Sequence, residues 1–145
     1  MFLGKYSIGL DEKNRFVTPA KFLNSLSSGF YMAQGFDRNL WVLTPDAFKS
    51  IYRKISSLNL ADPLARMLLR TILSTAHELQ PNEDGAILIP EELKKFAKIK
   101  RTILLIGQGD YFEIWEPALW AEQETQLRDA EANSGRFSSL SIVTR

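Results

Sequence analysis

Short, mostly apolar stretches recur along the chain and predict β-strands, and in the first of them apolar and polar positions alternate with the period of two that is typical of a strand. The stretches are residues 2–10, 15–18, 30–34, 39–43, 76–80, 86–89, 102–107 and 111–115. Cap residues, prolines and apolar positions three or four apart predict the helices between them. These are expected at residues 19–26, 45–57, 91–97 and 117–129, with another beginning at Asp62-Pro63. Short strands mixed with helices predict an α+β fold.

The same pattern is used twice. Residues 10–19 return as residues 81–90, 71 positions later, and residues 35–45 return as residues 107–117, 72 positions later. One insertion between the two segments reconciles these offsets, and a fixed internal period indicates one structural unit used twice. Four short strands bury too little surface to fold alone. Two interlocked units are therefore expected to form one pseudo-twofold β-barrel.

The turns also correspond between the copies. A tight turn is expected at residues 11–14, where Asn14 tolerates a left-handed backbone. Gly85 holds the matching place in the second copy, where a positive φ carries no penalty. After the turn, Thr18-Pro19 is expected to supply an N-cap and a proline at the first helical position.

Four segments describe the expected organisation: a first repeat, a connector helix, a second repeat and a flexible tail. Their bounds are residues 1–58, 59–75, 76–130 and 131–145. The tail is small and polar, with glycine and serine. The connector has no counterpart in the second copy, and one face of it is apolar at the helical spacing. That face, formed by Leu64, Met67, Leu68, Thr71 and Ile72, can pack on the barrel or on another subunit.

Composition excludes several kinds of protein. The chain has 145 residues, no cysteine and one histidine, so disulfides, thiolate metal sites and multi-histidine sites are excluded. No apolar run approaches the ~20 residues that span a bilayer, and the first residues lack a signal-peptide core, so a cytoplasmic protein without membrane contact is expected. A glycine-rich phosphate loop and a serine-centred elbow are also missing. We therefore expect no enzyme, catalytic residue, cofactor, metal or small-molecule substrate.

Charge is distributed unevenly. Residues 1–75 carry ten Lys/Arg and five Asp/Glu, whereas residues 76–145 carry eight and twelve, giving net charges of +5 and −4. This asymmetry indicates that one half faces a polyanion. Chance scatter of surface charge is the alternative explanation, and charge alone does not decide between them.

Several motifs together resemble the MraZ family, whose members carry two tandem repeats of the SpoVT/AbrB type. They occur in order and with the right spacing over residues 1–125. The motifs are Asp11-x-x-x-Arg15-x-x-x-Pro19, Gly35-Phe36-Asp37, Asp62-Pro63-x-Ala65-Arg66, Gly85-x-Ile87-Leu88-Ile89-Pro90 and Gly109-Asp110-x-Phe112-Glu113-Ile114-Trp115. A lone Asp-x-x-x-Arg would be a weak signal, but the duplicated set is specific.

The resemblance implies a fold and a function. The implied fold is the swapped-hairpin β-barrel of AbrB/MazE-like proteins, formed by two tandem repeats of one chain with flanking helices. The implied function is that of a bacterial transcriptional regulator that represses its own division and cell-wall gene cluster. It would bind double-stranded DNA at promoter direct repeats as a ring-shaped homo-oligomer associated with the nucleoid.

Arg15 is the first candidate for DNA contact, because it matches the arginine of the family motif. A guanidinium can bridge guanine O6 and N7 or clamp a phosphate. Asp11 is expected to hold Arg15 in place or to close the turn, and the alternative is a local ion pair that only stiffens the turn. Further DNA-contact candidates are Lys13, at the tip of the turn, Lys21, Asn14 and Arg38. The lysines have an alternative role as simple solvated side chains.

The second copy departs from the family pattern. Asn82 stands in place of the acid and Ala86 in place of the arginine, whereas the structural residues Gly85 and Pro90, like Pro19 in the first copy, are kept. In the first copy, Leu23 stands where family members often carry a basic residue. We therefore expect the first repeat to grip DNA and the second to supply architecture. The alternative is a degenerate paralogue that assembles but acts through protein partners.

Overall fold

The computed structural model describes residues 1–140 and confirms a mixed α+β architecture. Within those residues the chain forms eight strands, six α-helices and a closing 3-10 turn at Ser138–Leu140. The strands are β1 (Lys5–Gly9), β2 (Arg15–Val17), β3 (Phe30–Gln34), β4 (Leu40–Leu43), β5 (His77–Leu79), β6 (Ala86–Leu88), β7 (Thr102–Gly107) and β8 (Tyr111–Trp115). The helices are α1 (Ala20–Leu26), α2 (Pro45–Ser56), α3 (Pro63–Leu73), α4 (Glu91–Phe96), α5 (Pro117–Leu127) and α6 (Ala130–Phe137).

The two repeats are interleaved in one antiparallel sheet. Its six strands lie in the order β1-β7-β8-β4-β3-β5, and β2 pairs with β6 in a separate two-stranded ribbon. β1 of the first repeat pairs with β7 of the second, and β3 pairs with β5. The β4–β8 and β2–β6 pairs also join one repeat to the other. Neither repeat therefore completes its sheet without the other.

Strand register locates the extra residues of the second copy. Met32 pairs with His77, and Tyr6 pairs with Leu105. Because His77 follows Tyr6 by 71 residues, Met32 corresponds to Leu105, which follows it by 73. Three residues link α1 to β3, whereas five link α4 to β7.

The prediction of one insertion is therefore wrong. On the last strand pair, Leu40 pairs with Ile114 and Val42 with Phe112, which restores an offset of 72. The second copy thus has two extra residues between α4 and β7, and one residue fewer in the turn after β7. Because the two changes partly cancel, the sequence offsets alone show one extra residue and do not reveal the longer α4–β7 segment.

The core lies between the ribbon and the six-stranded sheet. Phe16 of β2 and Ile87 of β6 are buried and pack against the sheet and against α1 and α4. Burying each such side chain contributes about 1.5–3 kcal/mol. Aromatic edge contacts among Phe2, Phe22 and Phe112 fill the centre. The core thereby fixes the inner face of the ribbon and turns the other face, which carries Arg15, outward.

A second, smaller cluster lies on the other side of β4. Trp41, Leu43, Ile55 and Ile72 are its buried members, and they join α2 and α3 to the sheet. Part of the predicted apolar face of α3 is therefore used within the chain. The remainder is exposed, most strongly at Leu64 and Met67.

Cap predictions succeed at two helices and fail at one. Thr44 and Asp62 accept hydrogen bonds from Ala47 N–H (3.2 Å) and Leu64 N–H (2.9 Å), as N-cap residues do. Thr18 does not cap α1, since its hydroxyl is buried without a hydrogen-bond partner in the described part of the chain. The backbone stays extended through Pro19, which itself precedes the helix. Packing next to strand β2, and not capping of α1, therefore determines the position of the Thr18 side chain.

The C-terminal segment contains a helix that its composition does not predict. Helix α6 begins after Asp129, whose carboxylate accepts the Ala132 N–H at 3.1 Å. This cap, followed by good helix formers, outweighs the small polar residues on which the prediction of a flexible tail at 131–145 depended. The last five residues of that predicted tail lie outside the described residues. No helix in residues 1–140 has the length and apolarity needed to cross a bilayer.

Candidate nucleic-acid interface

The turn between β1 and β2, residues 11–15, is closed by Asp11. One oxygen of its carboxylate accepts the backbone N–H groups of Lys13 (2.8 Å) and Arg15 (2.9 Å). Asn14 has φ +63°, the left-handed conformation expected for it. The hydrogen bond from the Arg15 backbone is the main cause that lowers the pKa of Asp11 below its ordinary value, with smaller support from Lys13 and the Arg15 side chain. We call residues 11–15 the first tip.

The Arg15 side chain is oriented by an ion pair, yet its terminal nitrogens are available to a ligand. Its Nε lies 3.2 Å from the second carboxylate oxygen of Asp11. Its terminal nitrogens donate no hydrogen bond to any group in residues 1–140, and about a third of the side chain is exposed. Since Phe16 points into the core, Arg15 lies on the outer face of the ribbon. The ion pair therefore orients the guanidinium and leaves its donor edge free.

Helix α4 of the second repeat lies against the first tip. Lys94 Nζ donates to Asn14 Oδ1 at 2.8 Å, and Asn14 Nδ2 donates to Glu91 at 3.3 Å. The imidazole Nε2 of His77, on β5, is 2.8 Å from Glu92 and holds the other side of the helix. The site at the first tip is therefore built by both repeats.

The matching turn of the second copy, residues 82–86, has the same backbone but no base, and its two charged residues are both acids. Asn82 Oδ1 accepts the N–H groups of Asp84 (3.0 Å) and Ala86 (2.9 Å), as Asp11 does in the first copy. Gly85 has φ +75°, as expected. A Cβ added to it would lie 3.1 Å from Leu23 of α1, so α1 meets this second tip as α4 meets the first.

The composite arrangement explains which charges are kept. Leu23 and Lys94 hold equivalent positions, 71 residues apart, and each lies at the tip of the other repeat. The first tip thus has Asp11, Arg15 and Lys94, whereas the second has uncharged residues at all three places. Leu23 lies at the second tip, so the basic residue that the first repeat lacks at this position is missing from the second tip and not from the first.

The other predicted contacts are separated by the fold. Lys13 is exposed at the first tip, beside Asn14. Lys21 is exposed on α1, the helix that meets the second tip, so it is not grouped with Arg15. Arg38 has φ +58°, and its guanidinium donates to the Phe96 carbonyl (3.3 Å) and lies 5.2 Å above the Phe96 ring. It therefore lies at the C-terminal end of α4.

A basic segment missed in the sequence adjoins the first tip. Lys94, Lys100 and Arg101 line an open depression of about 500 Å³ together with Leu10 and three residues of the first tip, Asp11, Glu12 and Asn14. Five of the eight residues from 94 to 101 are basic and none is acidic. Averaging charge over half the chain concealed this run within an acidic half. No group of His, Cys, Asp or Glu side chains arranged to bind a metal occurs in the described part of the chain.

Comparisons with known proteins agree with this duplicated arrangement. The family model described as "MraZ protein, putative antitoxin-like" matches residues 1–71 and again residues 72–137. Three relatives are each named "Transcriptional regulator MraZ". That of Desulfitobacterium hafniense (strain Y51) is 34% identical over 92% of this chain and 94% of its own length. That of Clostridium tetani is 33% identical over 98% and 100%, and that of Clavibacter michiganensis subsp. michiganensis is 36% identical over 92% and 94%. The chain therefore belongs to the MraZ family, which consists of transcriptional regulators and not of enzymes.

Proposed function

We propose that this protein is a DNA-binding transcriptional regulator that reads promoter DNA with its first tip. The observation that carries the proposal is the open guanidinium of Arg15, oriented by Asp11 on the outer face of a rigid ribbon. An arginine held in this way can donate two hydrogen bonds to guanine O6 and N7. Lys13 and Asn14 would contact the flanking phosphates or sugars, which fix position but not sequence.

Apolar side chains beside Arg15 support base contact. Leu88 pairs directly with Arg15 across the ribbon, and Val17 lies two residues further along β2. Both are exposed on the outer face. A ribbon of two strands fits the major groove, where apolar groups can contact the methyl group of thymine. Arg15, Leu88 and Val17 would then read adjacent bases.

One tip per subunit contacts few phosphates, so we infer that several subunits bind together. Tips linked in a ring would reach tandem direct repeats at a high effective concentration. Exposed leucines and a methionine on α3 and on the link between α2 and α3 offer a contact between subunits. They are Leu58, Leu60, Leu64 and Met67, next to an apolar groove of about 360 Å³.

The regulated genes are inferred from the family. As the resemblance implies, the protein would repress the division and cell-wall cluster that contains its own gene, and it would lie in the cytoplasm on the nucleoid. Lys21 and Arg38 remain proposed contacts for a longer DNA path. The second tip, residues 82–86, would serve architecture.

Arg15→Ala tests the proposal. A labelled duplex carrying the direct repeats upstream of the gene is titrated with wild-type and variant protein, beside a scrambled duplex. We expect the variant to lose about 1–3 kcal/mol of binding free energy, or about 10- to 100-fold in Kd, and most of its preference for the repeats. Circular dichroism should show an unchanged fold. Equal binding by both proteins, or an unfolded variant, would contradict this role.

A second candidate function follows from the second tip, which has no basic residue. If both proteins ignore the duplex in low salt, the chain is better explained as an assembly that acts through protein partners. Asn82, Ala86 and Leu23 favour that alternative, since half of the possible DNA contacts are missing. The intact charges at the first tip make DNA binding the better supported proposal.

A further inference from the structure

We propose that the link between α4 and β7, residues 97–101, is a phosphate-binding arm that completes the DNA-binding surface of the first tip. The inference rests on the proposed function, and it assigns to the second repeat a direct part in DNA contact. The ligand is the duplex backbone. Lys98, Lys100 and Arg101 would bind phosphates beside the base pairs that Arg15 contacts.

The first tip alone does not carry the net positive charge that favours binding to a DNA backbone. Residues 11–15 contain two acids and two bases, so the tip itself has no net formal charge. The positive charge beside it comes from residues 94–101. None of the five basic side chains in this run forms a salt bridge with a carboxylate of residues 1–140. Their charge is therefore available to a polyanion.

The arm lies next to the tip. The Leu10 N–H donates to the Arg101 carbonyl at 2.8 Å, which fixes the end of the arm beside the start of the turn. Lys100 and Arg101 line the same depression as Asp11, Glu12 and Asn14. Asp11 is already paired with Arg15, which leaves Glu12 as the one wall carboxylate without a salt bridge in the described residues. The cations outnumber it.

The extra length of the second copy lies in this arm. The first copy joins α1 to β3 with Ser27-Ser28-Gly29, which has no charge. The second copy uses five residues, three of them basic. An insertion that served only as a linker would need neither this charge nor a position at the one tip that keeps its arginine.

The arm is held in a defined conformation. Lys98 N–H donates to the Lys95 carbonyl (3.1 Å) and Ile99 N–H to the Lys94 carbonyl (3.0 Å), the paired bonds of a Schellman motif. Ile99 is buried in the core and anchors the turn. Lys98, with φ +57°, therefore stands in a left-handed position that glycine usually occupies. Its charge is presented on a fixed loop.

The test uses a double variant, Lys100→Gln with Arg101→Gln, and a matched control, Lys49→Gln with Lys54→Gln on the exposed side of α2. Duplex affinity is measured over a range of salt concentrations for the direct-repeat and scrambled sequences. We expect the slope of log K against log [salt] to become shallower by about 1.8 per bound subunit in the double variant, and to stay unchanged in the control. Because phosphate contacts do not read sequence, the ratio between the two duplexes should be preserved, whereas Arg15→Ala should reduce it.

The outcomes separate the two proposals. An unchanged slope in the double variant, together with a loss of binding by Arg15→Ala, overturns the arm and leaves the proposed function intact. Equal losses in the double variant and the control also overturn it, since net charge alone would then explain binding. A wild-type protein that binds neither duplex overturns both proposals. Lysine acetylation of the wild-type complex gives an independent reading, with DNA expected to protect Lys98 and Lys100 but not Lys49 or Lys54.

Discussion

Asp11 and Asn82 close the same turn with different chemistry. Each accepts two backbone N–H groups at 2.8–3.0 Å, but only Asp11 also pairs with an arginine. The acid is therefore not needed for the turn, because asparagine makes the same bonds in the same chain. Its specific contribution is the orientation of Arg15.

Asp11→Asn should accordingly separate folding from binding. We expect only a small fall in melting temperature at neutral pH, since the amide oxygen keeps the turn bonds and only the stabilisation from the ionised carboxylate is lost. We expect DNA affinity to fall because Arg15 loses its charged partner. Asp11→Ala should lower both, since it removes the turn bonds as well. Circular-dichroism melts and duplex titrations measure the two effects. An Asp11→Asn variant that binds like wild type would show that the ion pair has no part in binding.

Glu113 offers a test by pH. It is half-buried on β8, and burial is the main cause that raises its pKa, partly offset by the hydrogen bond from Trp115 Nε1 (2.9 Å). A raised pKa in the folded state means that folded protein binds the proton more tightly, so stability falls as pH rises from about 4.5 through the folded pKa. Glu113→Gln keeps an oxygen for Trp115. It should melt higher than wild type at pH 7 and at the same temperature below pH 4. Parallel melts at every pH would contradict this account.

At the scale of elements, one residue of the Schellman turn after α4, Lys98, affects both the stability of the fold and the proposed DNA contact. A left-handed backbone costs an ordinary side chain about 1–2 kcal/mol, and glycine avoids this cost. Lys98 therefore places a positive charge at a position where glycine would make the folded protein more stable. Such a position is typical of a functional constraint.

Lys98→Gly should move stability and binding in opposite directions. We expect the melting temperature to rise, by less than the relieved strain because glycine also gains freedom in the unfolded chain. The salt slope of DNA binding should become shallower by about 0.9 per bound subunit. Lys98→Gln is the control, since it removes the charge and keeps the strain, so only binding should change. A glycine variant that melts lower would mean that the lysine side chain stabilises the turn.

Elements were predictable where the signal was local. Short apolar stretches between turn residues located all eight described strands, and Thr44 and Asp62 marked their helices, because each signal depends only on neighbouring residues. The prediction that Thr18 caps α1 failed because burial against the second tip overrides its capping preference. Helix α6 was missed because one cap, Asp129, outweighs an unpromising composition.

At the scale of the whole molecule, the arrangement of the site could not be predicted from one repeat at a time. Arg15 was identified from the motif and Asn14 from the turn, but Lys94, which donates to Asn14, is 80 residues away and becomes a neighbour only through interleaving. Summing charge over each half of the chain did not reveal that the acidic second half supplies the basic segment 94–101 beside the first tip. On our proposal, both repeats would therefore contribute to DNA contact.

Ala86→Arg tests whether the second tip fails to contact DNA only because it lacks a base, since its two charged residues are both acids. Residue 86 pairs with Val17 on the outer face of the ribbon, so a longer side chain meets no core atom there. We expect unfolding free energy to stay within about 0.5 kcal/mol of wild type and the salt slope to steepen by about 0.9 per bound subunit. Adding Leu23→Lys should strengthen binding further, since it restores the partner that Lys94 provides at the first tip. Unchanged binding by both variants would mean that the second tip cannot reach DNA.

Mapping the contact surface tests the central claim most directly. A direct-repeat duplex carrying photoreactive bases is cross-linked to wild-type protein, and the attached peptides are identified by mass spectrometry. The account predicts cross-links within residues 11–17 and 94–101, which belong to different repeats but form one surface. Cross-links concentrated in residues 82–86, or on α2 and α3, would contradict it.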